Sequence, residues 1–217
     1  MTELPLVVPL VQPPTAAERR CLIRRVRLLA WVGNGWHVLE FAVAVGAGVA
    51  ASSIALIGFG FDSLIEALAG SVIIWRFASR RALKEAAERR AQQLIALSYV
   101  VLAAYVAVEA VRTLFGGDHP DSSRIGIALA AVTAPTMPLL ARAKRRLGHR
   151  LSSSAVVSEG SQNLICSYLS VALLAGLSLN AMLEWWWADP AAALLIAGVA
   201  LREGRASWRG DVCCDHC

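Results

Sequence analysis

Long apolar runs separated by short clusters of charge dominate this chain. The runs lie at about residues 28–51, 53–77, 93–115, 123–143, 154–180 and 186–201. A bilayer core about 30 Å thick needs ~20 residues of helix, and all six runs come near that length. Backbone polar groups cannot go unsatisfied in lipid, and the period-2 alternation of a membrane barrel is absent, so the runs are expected to be helices. The expected fold is an all-α integral membrane protein: a six-transmembrane-helix bundle over residues 28–204, flanked by an N-terminal tail at 1–27 and a short Cys/His tail at 205–217. No internal repeat or separate soluble domain stands out.

Composition agrees with a lipid solvent. Hydrophobic residues make up 57% of the 217, and only 17% are charged. Arg and Lys collect in four places: Arg19 to Arg27, Arg76 to Arg90, Arg142 to Arg150, and Arg202 to Arg209. The intervening connections around Ser52, at 116–122 and at 181–189 carry none. Positive charge stays on the cytoplasmic side, so both termini are expected there. The net charge of +5 is spread over helix ends without forming one basic face, which argues against nucleic acid as a partner. Pro5, Pro9, Pro13 and Pro14 in the opening stretch do not fit a cleavable signal peptide. The five cysteines are odd in number and three of them crowd the C-terminus, so reduced thiols are expected rather than a disulfide framework. Trp185, Trp186 and Trp187 fall where a helix end would meet the outer interface. Gly46 with Ala50, and Gly58 with Gly60, offer small surfaces for helix packing.

An ionisable side chain at mid-membrane costs several kcal/mol, which makes each one a functional candidate. Asp62 and Glu66 lie about 9 to 13 residues into the second helix, ~14 to 20 Å deep. Gln162 and Cys166 lie about 8 to 12 residues into the fifth, ~12 to 18 Å from the opposite face. Each pair is spaced i, i+4 and shares a helix face, so two facing helices would present four donors around one point. Two carboxylates, an amide oxygen and a thiolate could hold Zn(II) or a neighbouring transition metal. His37 and Glu40 in the first helix reach a similar depth and could line the pathway, relay protons or pair with each other, as could Glu159. A packing role for His37 or Cys166 alone, and a purely structural role for the carboxylates, stay open. The tail residues Cys213, Cys214, His216 and Cys217 form a second metal-binding candidate, either a capture arm or an incidental end.

The stretch Gly58-Phe59-Gly60-Phe61-Asp62-Ser63-Leu64-Ile65-Glu66-Ala67 resembles the second helix of the cation diffusion facilitator (cation efflux) family, with two acidic residues four apart after small residues. The run Trp187-Ala188-Asp189-Pro190 resembles the start of that family's sixth helix, and Ser158 to Cys166 falls where the fifth-helix half of its metal site belongs. Family members commonly carry His and Asp at the positions of Gln162 and Cys166, a departure that bears on metal identity more than on fold. The family's usual cytoplasmic domain has no counterpart after the sixth helix, so the chain looks like a short branch. The resemblance implies a homodimer in the cell membrane that exports a divalent cation, generally zinc, in exchange for protons.

A buried carboxylate binds either a proton or a metal, and that competition suffices for antiport. No resident cofactor is expected; the metal is cargo, and the partners are the metal ion, protons, membrane lipid and a second copy of the chain. The alternative is a non-transporting membrane regulator or assembly partner that uses the Cys/His tail. An enzyme is not expected, because catalysis would call for a cluster near one interface and the strongest cluster here is central.

Overall fold

The first helix starts at a capping box. The hydroxyl of Thr15 accepts from the backbone N–H of Glu18, whose carboxylate accepts from the Thr15 N–H at 2.9 Å. The computed structural model describes residues 15–78, 85–116 and 119–209. These form α1 (Ala16–Ala51), α2 (Ile54–Ala78), α3 (Glu85–Gly116), α4 (Arg124–Leu151), α5 (Ser154–Leu183) and α6 (Ala188–Arg209). The first five are long and apolar enough to cross a membrane, so this is an all-α, multi-pass membrane protein. In α6, charges at Asp189, Arg202, Glu203 and Arg205 leave a shorter apolar stretch, and its alanine face at Ala193, Ile196 and Ala200 is buried in the bundle. The tail cysteines and His216 lie outside the described residues.

Consecutive helices alternate in direction, and the closest pairs are α1–α2, α4–α5 and α3–α6. Two of these pairs are closed by the same device. Ser52 and Ser152 adopt left-handed backbone angles (φ 52° and 51°), and the following N–H groups of Ser53 and Ser153 each donate at 2.9 Å to the carbonyls of Gly48 and Gly148. Glycine is required by the closeness of the returning helix: a Cβ on Gly48 would lie 2.8 Å from the Ile57 side chain, and one on Gly148 would lie 2.7 Å from that of Val157. The sequence pattern Gly-x-x-x-Ser-Ser thus recurs at 48–53 and 148–153, a local repeat that hydropathy does not register. The two turns sit at opposite ends of the bundle.

Packing within lipid depends on close approach and polar links more than on hydrophobic drive. Gly58 and Gly60 face Val106 and Val45 closely, as expected, whereas Gly46 meets nothing within 4 Å. Pro138 in α4 has no N–H for the Ala134 carbonyl, and Ser167 of α5 donates to that carbonyl at 2.8 Å instead. Asp189 at the start of α6 accepts from the Ser53 hydroxyl and, at 3.3 Å, from the Ala55 N–H, which ties α6 to the first turn of α2. Trp185 and Trp187 stack at 5.4 Å on the α5–α6 connection, half exposed.

Candidate metal site

Helical spacing gathers polar side chains onto the inner faces of four helices. On α1 the buried stripe includes Asn34, His37 and Glu40; on α2 it includes Asp62, Ser63 and Glu66. On α5 it includes Glu159, Asn163, Cys166 and Ser167, and on α4 Thr133, Met137 and Lys144. Within each set most members stand three, four or seven residues from another, which keeps them on one helix face.

Where α1, α2 and α5 meet, one ligand atom each from His37, Glu66 and Cys166 lies within 4.8 Å of the other two, and all three residues are buried. Nδ1 of His37 is 3.2 Å from Glu66 Oε2. That oxygen makes no aligned hydrogen bond despite its burial, an unsatisfied acceptor beside a thiol and an imidazole. A nitrogen, a carboxylate oxygen and a sulfur at this spacing form a donor set suited to Zn(II) and similar borderline cations.

Around the cluster, neighbours fix the side chains. Glu40 accepts from Ser63 at 3.1 Å, from Thr133, and from His37 Nδ1 at 3.3 Å. Asn163 reaches His37 Nε2 at 3.0 Å and accepts from Lys144 Nζ at 2.9 Å, while Lys144 also donates to Glu159 Oε1 at 2.8 Å. The Lys144–Glu159 pair and Asn34, hydrogen-bonded to Ser71 at 2.8 Å, form a polar layer displaced from the cluster toward the arginine-rich end.

Of the four ligands expected from sequence, the fold brings Glu66 and Cys166 together. Asp62 is buried one turn away on α2, outside the close group, and Gln162 is half-buried one turn from Cys166. His37, expected to line the pathway, is the third member of the group, and Glu40 and Glu159 stand in the surrounding network. Lys144, Thr133 and Asn163 had no assigned role. For Thr133 and Lys144 the signal is the spacing of Thr133, Met137, Ala141, Lys144 and Gly148 along α4, which puts the lysine on the buried face although it lies in a basic cluster; Asn163 falls between Glu159 and Cys166 on the buried face of α5.

Comparison with known proteins bears on the same residues. Transmembrane protein 163 of Xenopus laevis is 19% identical over 178 residues, covering 81% of this chain and 63% of that protein, so the chain spans less than two thirds of this relative's length. The family model of the cation efflux transmembrane domain matches residues 37–209, from His37 of the cluster to the last residue of α6. With most of its length inside that match, the chain belongs to the cation efflux family.

Proposed function

We propose that this protein carries a divalent transition-metal cation, zinc before others, across the membrane in exchange for protons. The observation that carries the proposal is the meeting of His37, Glu66 and Cys166 from three different helices inside the bundle. Sulfur and imidazole nitrogen favour zinc and its neighbours over magnesium or calcium, which take oxygen ligands. Asp62, one turn along α2, receives or passes on the cation in this scheme. Metal binding requires deprotonated ligands, so a cation entering this cluster releases protons and a departing one takes them up. The arginine-rich ends of the helices, which include both termini, face the cytoplasm in this scheme, and export runs away from them.

The test is metal flux into liposomes containing the purified protein under an imposed pH gradient, with Zn(II), Cd(II), Co(II) and Fe(II) offered in turn. Wild type moves zinc and cadmium only when the gradient is present; Glu66→Ala and His37→Ala move neither. Flux that survives in Glu66→Ala, or an absence of flux for every metal, would overturn the proposal.

A further inference from the structure

Asn163 stands between the ligand cluster and the buried Lys144–Glu159 pair, and its amide can face only one way. Lys144 offers donors alone, so the amide atom 2.9 Å from its Nζ is the acceptor Oδ1. The amide nitrogen then turns toward His37 Nε2 at 3.0 Å and the Met137 sulfur at 3.5 Å. A ring nitrogen that accepts carries no proton. With Nε2 accepting, the ring proton sits on Nδ1, which donates to Glu40 at 3.3 Å.

That tautomer refuses a cation at Nδ1, the nitrogen beside Glu66. An imidazole bound to metal through one nitrogen carries its proton on the other and gives it to an oxygen. With Nδ1 on the metal, Nε2–H would point at the Asn163 amide nitrogen, donor against donor. Rotating the amide by half a turn supplies the needed oxygen but takes Oδ1 away from Lys144.

We propose that Asn163 is a positioning residue that acts as an amide switch: its orientation selects the His37 tautomer, so filling the cluster detaches Lys144 of α4 from Asn163 of α5. The inference rests on the metal site proposed above and adds a link to the polar layer nearer the arginine-rich end. The exchange is a tautomeric shift: the ring's one proton is lost from Nδ1 and regained at Nε2 through solvent, with no net proton taken up or released there. Lys144 retains Glu159, whose Oε2 has no hydrogen-bond partner and can take up the freed donor. Gly33 leaves room for that ammonium, since a Cβ there would lie 3.0 Å from Nζ.

The experiment is a nitrogen-15 spectrum of the full-length, histidine-labelled protein with and without Cd(II), the His37 signals being assigned by their loss in His37→Ala. The metal-free protein shows the Nδ1–H tautomer and the cadmium-loaded protein the Nε2–H tautomer. Asn163→Asp presents oxygens to both Lys144 and Nε2–H, so it shows Nε2–H before metal is added and binds cadmium about 10-fold more tightly. An Nε2–H signal in the metal-free wild type, or an unchanged tautomer in Asn163→Asp, overturns the switch and leaves the metal site standing. Cadmium that binds without moving the His37 signals overturns the site and the switch together. Should Asn163→Asp fail to fold, the two wild-type spectra still decide.

Discussion

Replacing Lys144 by Met tests how the buried polar layer is held. In the fold, Nζ lies 2.8 Å from Glu159 Oε1, and both side chains are at least nine-tenths buried. The other Glu159 oxygen already lacks a hydrogen bond, so the lysine is the carboxylate's only described partner. Removing one member of a buried ion pair strands the remaining charge and costs about 3–5 kcal/mol, whereas replacing both members is close to neutral. For a domain of this size that loss lowers the unfolding temperature by roughly 6–20 °C. The assay is thermal unfolding in detergent followed by tryptophan fluorescence, on wild type, Lys144→Met, Glu159→Gln and the double variant. Lys144→Met should be the least stable, and the double variant should recover most of the loss. A double variant as unstable as Lys144→Met, or a single variant that unfolds at the wild-type temperature, would refute the assignment of that stability to the pair.

Two further substitutions probe packing by the same assay. Gly148→Ala places a Cβ 2.7 Å from the Val157 side chain and 2.9 Å from its backbone nitrogen, and should cost about 1–3 kcal/mol, while Gly46→Ala, which meets nothing within 4 Å, should cost almost nothing. Ser167→Ala removes the donor that satisfies the Ala134 carbonyl beside Pro138, and should cost about 0.6 kcal/mol and no more than ~1.7 kcal/mol.

Hydropathy made the helices legible because lipid forces every spanning segment to announce itself as a long apolar run. It did not mark where helices end. The fourth run stops at residue 143, yet α4 continues to Leu151, and the first run starts at 28, yet α1 begins at Ala16 behind Thr15. Apolarity reports what the side chains face, whereas helix ends are set by hydrogen bonds and caps. The same gap hid Lys144. Read by composition it is one of five basic residues in a connection; placed on its helix face it is a buried ion-pair partner. The common depth of Glu66 and Cys166 was legible because depth along a helix is a one-dimensional quantity, but i, i+4 spacing picked out Asp62 and Gln162 equally, and the fold leaves those a turn away. The nearness of His37 to Glu66 and Cys166 depends on how α1 leans against α2 and α5, which no spacing along one helix records.

The matching turns at Ser52–Ser53 and Ser152–Ser153 have a mechanical consequence. Helices α1 and α2, joined tightly at one end, can part only at the arginine-rich end; α4 and α5, joined there, can part only at the other. His37 and Glu66 ride on separate arms of the first pair, and Cys166 on an arm of the second. Four of the six helices thus form two pairs of tongs set head to tail, with the cluster held where their jaws overlap.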